Sequence, residues 1–323
     1  MSALLTTSVG SFPKPEYLSR ARTKAAKGDL SREGLRELEE KATTDWIRFQ
    51  EGIGIDILVD GEQYRGDMAT YFAENIDGTE ISGLVRSYGN RYYKKPIIVD
   101  ELRLRGPISV DWFKFAQGQT ARPVKGMITG PYTMMDWSFD EYYGSRADAC
   151  LAFANLLHQE AVALEAAGAT IVQVDEPALS TRFDELPLLV KAVGVVTKGL
   201  ESKTVLHTCY GNYNEIFEYF NKLPVDQIDL EMSNSGLDLL DRFKREPLKK
   251  EIAFGVVDVH SHVIESEALI RERIEKALTI FAPPKLFIDP DCGLKTRSVE
   301  EAQAKLRNMV AATKASRQAH GWT

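Results

Sequence analysis

Four residues of metal-binding types, His207, Cys209, Glu231 and Cys292, each lie at or just past the C-terminal end of a short apolar run that predicts a β-strand. In a (β/α)8 barrel the carboxyl ends of the strands converge on one mouth, so side chains far apart in sequence can meet around one ion. Two thiolates, an imidazole and a carboxylate suit Zn²⁺. The alternative is a set of buried core residues plus a surface glutamate, since free cysteine is among the most buried residue types. The shared strand-end placement favours the zinc site.

The ligand types also indicate what such a zinc site could do. His207 and Cys209 are two residues apart, which in extended backbone aims both side chains to the same side. Two thiolates and a carboxylate would leave the zinc site with a net charge of about −1, which suits holding a thiol as its thiolate. The predicted reaction is therefore alkyl transfer to a substrate thiol, and not hydrolysis by a metal-bound hydroxide.

Composition restricts the class of protein. The chain has 323 residues, 44% hydrophobic and 27% charged, enough for one large barrel domain or two ordinary ones. The net charge is −7 and no block of Lys and Arg stands out, which disfavours a nucleic-acid partner. No signal peptide and no run of roughly 20 apolar residues is apparent, so we expect a cytoplasmic protein without a membrane partner. Three cysteines do not suit a disulfide framework, and Cys150 has the spacing of a helix core.

Short apolar runs alternate with amphipathic helical segments along the chain. The predicted strands are residues 4–9, 55–59, 124–129, 170–174, 204–206, 228–230, 252–257 and 286–288. This alternation favours a parallel sheet, and the number of runs is that of a (β/α)8 TIM barrel. A doubly wound open sheet competes, but no Gly-rich nucleotide motif follows an early strand. We predict a single α/β domain over residues 1–323.

A long insertion after the second strand, residues 62–123, interrupts the alternation and contains a strand-like stretch at residues 96–99. Long insertions between barrel elements often act as lids or binding walls. The alternative is a structural hairpin that packs on the barrel flank, and the sequence leaves both readings open.

Several strings in the chain resemble the catalytic half of cobalamin-independent methionine synthases. They are residues 8–13 (SVGSFP), 60–62 (DGE), 67–68 (DM), 130–139 (GPYTMMDWSF), 175–179 (DEPAL), 207–209 (HTC) and 289–297 (DPDCGLKTR). They occur in the same order as in the family, so the resemblance covers nearly the whole chain. It implies a zinc-containing TIM barrel, with one zinc ion per chain, that methylates L-homocysteine to L-methionine.

The resemblance also assigns roles to individual residues. The implied zinc ligands are His207, Cys209, Glu231 and Cys292. The implied contacts to the amine and backbone ends of the amino acid are Ser11, Glu62 and Asp175. Trp137 and Arg91 match positions that line the folate site, and His260 matches the histidine presumed to handle a proton. Taken alone, these residue types are also common as turn residues, helix caps, ion-pair partners and core residues.

The methyl donor is predicted from a departure from the family. Full-length folate-using members carry a second, N-terminal barrel that helps bind polyglutamylated folate, and this chain starts at the catalytic barrel. We therefore expect a methylcobamide or a methylated corrinoid protein as donor, as in short single-barrel relatives that resemble methylcorrinoid:homocysteine methyltransferases. 5-Methyltetrahydrofolate is the alternative donor, and coenzyme M or another small thiol is the alternative acceptor.

Two further classes compete with a methyltransferase. His260 and His262 could bind the metal of a zinc hydrolase, although they lack the early-strand position and the further ligands of such barrels. A non-enzymatic corrinoid carrier is disfavoured because the chain has no Asp-x-His-x-x-Gly motif.

Overall fold

The computed structural model describes residues 3–86, 92–209 and 211–322. Contacts divide the chain into two compact units. The first unit comprises residues 1–64, 112–125 and 229–323, and the second comprises residues 65–111 and 126–228. In the described part of the chain, no helix has both the length and the apolar character that a membrane span needs.

Helices and strands alternate over most of the chain. The helices are α1 Glu16–Ala26, α2 Arg32–Ile53, α3 Met68–Ala73, α4 Val110–Gln117, α5 Pro131–Asp136, α6 Arg146–Ala166, α7 Leu186–Val196, α8 Tyr213–Phe220, α9 Leu240–Arg245, α10 Glu267–Leu278 and α11 Val299–Ala319. The strands are β1 Ile76–Arg86, β2 Tyr92–Leu104, β3 Gly126–Thr129, β4 Phe139–Asp140, β5 Ile171–Asp175, β6 Lys203–Thr208, β7 Gln227–Leu230, β8 Glu251–Val257 and β9 Leu286–Pro290. The short 3₁₀ helices are Pro177–Ser180, Phe183–Glu185 and Pro283–Lys285.

Local sequence explains where the main helices begin and end. Helix α2 begins after Ser31, whose side chain accepts from the Gly34 N–H, and it ends at Gly54 in the left-handed region (φ 95°). Helix α11 begins with a capping box, in which Ser298 and Glu301 bond to each other's backbone N–H. Cys150 is fully buried within α6, in agreement with its helical spacing.

In the first unit, β8 and β9 form a parallel pair. The predicted strands at residues 4–9 and 55–59 are instead single bridged positions, Thr6 with Ile288 and Leu58 with Val124. A contact between residues distant in sequence accounts for this, because the Asp56 carboxylate accepts hydrogen bonds from the Thr6 N–H and hydroxyl, both at 2.8 Å. A side chain thereby supplies bonds that a regular ladder would take from the backbone.

In the second unit, β5 pairs in parallel with both β3 and β6. The insertion after the second strand contains α3 and a long antiparallel hairpin of β1 and β2, with β4 beside β2. The strand-like stretch predicted at residues 96–99 lies within β2. The insertion is therefore a hairpin, and a role as a lid stays a prediction.

The parallel strands follow the order β3-β5-β6-β7-β8-β9. The predicted metal ligands are found at or just after β6, β7 and β9. These are the carboxyl ends of strands, where barrel enzymes place their active sites.

Candidate metal and substrate site

Three of the predicted metal ligands form a group. One ligand atom each from His207, Cys209 and Cys292 lies within 4.8 Å of the others. His207 and Cys209 are buried and Cys292 is half-buried. Two thiols and one imidazole are a donor set that Zn²⁺ prefers, and three protein ligands leave a coordination position for a further group. The chemistry of this donor set fits the predicted zinc ion.

Glu231, the fourth predicted ligand, is hydrogen-bonded to a histidine. It directly follows β7 and is buried, and its Oε1 lies 3.0 Å from Nε2 of His260. This hydrogen bond raises the pKa of His260 above its ordinary value, against the opposing effect of burial. The predicted ligand and the predicted proton-handling histidine are therefore paired.

The Ser11 loop lies against the chain that follows Cys292. The Leu294 N–H donates to the Ser11 carbonyl oxygen at 2.7 Å. A Cβ at Gly293 would lie 2.0 Å from the Ser11 hydroxyl oxygen, so a larger residue there would displace the Ser11 side chain from its present position. The structure thus brings the predicted substrate residue Ser11 next to the segment that carries Cys292.

Glu62 adjoins the same loop. Ser11 bridges Gly61 in parallel, which places Glu62 one residue beyond the bridge. Glu62 is buried and has a positive φ of 54°, which is uncommon outside glycine and occurs in strained functional segments. The Asp60 carboxylate accepts from the Glu62 N–H at 2.9 Å and stabilises this conformation.

Asp175, at the C-terminal end of β5, is buried among polar side chains. The Gln173 amide donates to Asp175 Oδ1 at 2.7 Å, and Arg65 Nη2 lies 3.8 Å from Oδ2. Gln173 and Arg65 are themselves buried. A buried carboxylate held in this way can accept a substrate ammonium group without reorganisation.

Trp137 follows α5 and is half-buried. The Tyr93 hydroxyl in β2 donates to its carbonyl oxygen at 3.3 Å, and the two rings are 6.0 Å apart. The hairpin of the insertion therefore contacts the residue predicted to stack on the donor. Arg91, the other predicted residue of the folate site, lies outside the described residues.

Two buried carboxylates beside the predicted site residues had no predicted role. Glu176 accepts from the Tyr132 N–H, the Thr133 N–H and the Thr133 hydroxyl at 2.6–2.9 Å, and burial raises its pKa to about 7. Asp291, which precedes Cys292, is bound in the same manner, and burial raises its pKa to about 7. Both residues belong to motifs quoted above. The feature of the sequence that could have indicated a role is that each is an acidic residue next to a predicted site residue.

The hydrolase alternative required His260 and His262 to bind one metal ion. His262 is instead exposed, and its Nδ1 lies 2.8 Å from Glu301 Oε1. His260 bonds Glu231. The two histidines thus contact different carboxylates, which disfavours a shared metal ion.

Comparison with known proteins identifies the family. Residues 4–315 match the family model described as "Cobalamin-independent synthase, Catalytic domain". The chain belongs to the cobalamin-independent methionine synthase family. It is 39% identical over 316 residues to the methionine synthase of Saccharolobus solfataricus, covering 98% of this chain and 95% of that protein. The chain is therefore an enzyme of the methyltransferase class.

A solved structure agrees with this assignment. The B12-independent methionine synthase from Shewanella sp. W3-18-1, solved in complex with selenomethionine, matches with a TM-score of 0.89 and 30% identity, covering 98% of each chain. The fold class is thus the predicted (β/α)8 barrel.

The predicted corrinoid donor is wrong. The family is defined as cobalamin-independent, and a Flavobacterium johnsoniae relative is named 5-methyltetrahydropteroyltriglutamate–homocysteine methyltransferase. That relative is 40% identical, and the match covers 97% of this chain but 42% of the relative. The corrinoid expectation relied on the protein surface available to bind a folate tail. The reaction is determined instead by the protein groups that surround the methyl group in the transition state.

Proposed function

We propose that this enzyme transfers the methyl group of a 5-methyltetrahydropteroyl donor to the sulfur of L-homocysteine and releases L-methionine. The observation that carries the proposal is the group of His207, Cys209 and Cys292 at strand ends in a chain of this family. The donor class comes from the names of relatives such as that of F. johnsoniae. We also propose that residues 1–323 form one catalytic domain in the cytoplasm.

The proposed metal is one Zn²⁺ per chain, with His207, Cys209 and Cys292 as ligands. When bound, it would hold the homocysteine sulfur as a thiolate, because metal coordination deprotonates a thiol. Glu231 is the proposed fourth ligand, and in the structure its carboxylate bonds His260. We propose that Glu231 and His260 act as a pair beside the reacting sulfur.

The amino-acid part of the substrate is proposed to bind the acidic side chains. Glu62 and Asp175 would accept hydrogen bonds from its ammonium group, and Ser11 would bind the backbone end. The burial of Glu62 and Asp175 supports this role, because a charge-assisted hydrogen bond is stronger where water is excluded. Recognition of this end would separate homocysteine from thiols such as coenzyme M.

The proposed transfer balances without an oxidant or a reductant. The thiol loses its proton, and the sulfur electron pair forms the new S–CH₃ bond. The bond between N5 of the donor and its methyl carbon breaks, and its electron pair returns to N5. N5 takes up a proton, so the products are methionine and the demethylated donor. We propose that His260 Nε2 holds the proton in this exchange.

Methionine formation with separated substrates tests this proposal. Purified zinc-loaded protein is given homocysteine with 5-methyltetrahydropteroyltriglutamate, and methionine is quantified by mass spectrometry. A parallel reaction with coenzyme M as acceptor tests the amino-acid end. We expect methionine with homocysteine and no methylated coenzyme M.

Two results would contradict the proposal. Methylation of coenzyme M at the same rate as homocysteine would exclude recognition by Glu62 and Asp175. Absence of methionine with the pteroyl donor, when the same preparation forms methionine from another methyl donor, would exclude the proposed donor class.

A further inference from the structure

The clearest unassigned feature beside the proposed site is the carboxylate of Asp291. Asp291 is fully buried and directly precedes Cys292. Its Oδ1 accepts from the N–H groups of Met232 and Ser233, at 3.1 and 3.0 Å. Its Oδ2 accepts from the Ser233 hydroxyl at 2.6 Å and the Asn234 N–H at 2.7 Å. This one side chain therefore binds the whole segment that follows Glu231.

The backbone of Asp291 makes a third connection. Its N–H donates to the carbonyl oxygen of Val257, the last residue of β8, at 2.9 Å. His260 follows three residues later and bonds Glu231. Asp291 thus joins the ends of the strands that precede Glu231, His260 and Cys292.

The neighbouring chain is shaped to accommodate this carboxylate. A Cβ at Gly255 would lie 2.2 Å from Asp291 Oδ1 and 2.9 Å from the Leu230 carbonyl oxygen. Only glycine at position 255 leaves room for the Asp291 carboxylate beside β8.

We propose that Asp291 is a positioning residue for the metal ligands Glu231 and Cys292. The inference rests on the proposed metal site. Asp291 does not itself bind the metal or the substrate. It holds the backbone on which both ligands sit, and side chains that orient metal ligands typically change metal affinity about 10–100-fold when they are altered.

The test compares Asp291→Asn with a matched variant elsewhere in the chain. Glu160 is also fully buried, and it accepts from the Ile108 N–H, the Ser109 N–H and the Ser109 hydroxyl at 2.7–2.8 Å. Each amide variant replaces one accepting oxygen by a nitrogen that cannot accept, so both should lose comparable hydrogen bonds. These partners of Glu160, at residues 108 and 109, do not adjoin a proposed ligand in sequence.

Zinc affinity is measured by competition with a chromophoric chelator, and thermal unfolding is measured on the same metal-free proteins. We expect Asp291→Asn to weaken zinc binding by about 10–100-fold. Glu160→Gln should stay within about twofold of the wild type, since effects of independent sites do not couple, while its unfolding temperature falls similarly. Equal weakening of zinc binding in both variants would overturn the proposal.

Two less disruptive variants provide a decisive test if Asp291→Asn does not fold. Ser233→Ala removes one hydrogen bond to Asp291, and Ser109→Ala removes the matching bond to Glu160. We expect about 2–10-fold weaker zinc binding for Ser233→Ala, the effect of one lost hydrogen bond, and none for Ser109→Ala. Unchanged zinc binding in Ser233→Ala and in any folded Asp291→Asn protein would overturn the inference.

Failure of the proposed function gives a different result. A wild-type protein that binds no zinc would overturn the metal site and this inference together. A wild-type protein that binds zinc while the Asp291 and Ser233 variants bind it equally well would overturn the positioning role alone.

Discussion

Oε1 of Glu231 lies 3.0 Å from Nε2 of His260, so a carboxylate predicted to bind metal is hydrogen-bonded to the histidine predicted to handle a proton. In the sequence, helix α9 and strand β8 lie between these two residues, and in the structure they meet beyond the ends of β7 and β8. This pairing places the predicted proton-handling group beside a proposed metal ligand, so variants of His260 need both kinetic and metal analysis.

Replacing His260 by Ala should lower kcat and leave the zinc content unchanged. Loss of a positioned proton donor typically costs about 10²–10⁴-fold in rate. His262→Ala is the matched control, because His262 is exposed and contacts Glu301. Steady-state kinetics and metal analysis of both variants check the prediction. Loss of zinc from His260→Ala, or an unchanged kcat, would contradict the role.

Asp175→Asn should raise KM for homocysteine by about 10–100-fold, because one charge-assisted hydrogen bond to the ammonium group is lost. Zinc content should not change. The control is a substrate, 4-mercaptobutyrate, which is homocysteine without its amino group. Wild type and variant should methylate this thiol at the same rate. The same comparison applies to Glu62→Gln. A KM change of equal size for both thiols would show that these residues do not recognise the amine.

Much of the proposed site could be predicted because the strand-end positions are local signals. Apolar runs end directly before His207 and Glu231, and a third run ends at residue 288, shortly before Cys292; the structure places strands β6, β7 and β9 there. The first two strands were predicted as regular ladders, which they are not, because the Asp56 carboxylate bonds Thr6 across a gap that local sequence does not show.

The part that could not be predicted consists of long-range polar contacts. Asp289 and Asp291 are alike in sequence, on either side of Pro290, and only the fold shows that Asp291 accepts from residues 232–234. The hydrogen bond between Glu231 and His260 is a long-range contact of the same kind. So is the hydrogen bond that Glu176 accepts from the backbone of α5. Such contacts depend on the register of neighbouring strand ends, which periodicity does not determine.

Gly255→Ala should destabilise the protein by about 1–3 kcal/mol, the usual effect of overpacking, and should also weaken zinc binding. The added Cβ would displace the Asp291 carboxylate. Gly52→Ala in α2 is the control, because its Cβ would meet nothing within 4 Å, and it should be neutral or slightly stabilising. Denaturant unfolding and chelator competition check both variants. Wild-type stability in Gly255→Ala would contradict the close packing around Asp291.

Glu185 should stabilise the protein in a pH-dependent manner. Arg146 donates to both of its oxygens at 2.7–2.8 Å, and this pairing lowers the pKa of Glu185 to about 2. Its folded-state pKa is depressed, so its contribution is complete above about pH 4.5 and is lost as pH falls towards 2. After allowance for solvent screening, we expect Glu185→Gln to lose about 1 kcal/mol at pH 7.

Unfolding measured from pH 7 to pH 2 tests this contribution. The difference in stability between wild type and Glu185→Gln should shrink below about pH 4.5. Glu16→Gln, which breaks an exposed pair with Arg20, should show little difference at any pH. A Glu185 difference that stays constant to pH 2 would contradict the proposed origin.

Cysteine variants test whether Cys209 and Cys292 bind the proposed zinc ion. Cys209→Ser and Cys292→Ser should each lose most of the bound zinc, because a thiolate is a far stronger zinc ligand than a hydroxyl. Cys150→Ala should retain it, since Cys150 is buried within α6. Full zinc retention in both ligand variants would exclude these cysteines as ligands.

The most direct test of the account is methionine formation as zinc is titrated into metal-free protein with homocysteine and 5-methyltetrahydropteroyltriglutamate present. We expect activity to rise from near zero and to reach its plateau at one zinc per chain. Full activity without zinc, or no methionine at any zinc concentration, would contradict it.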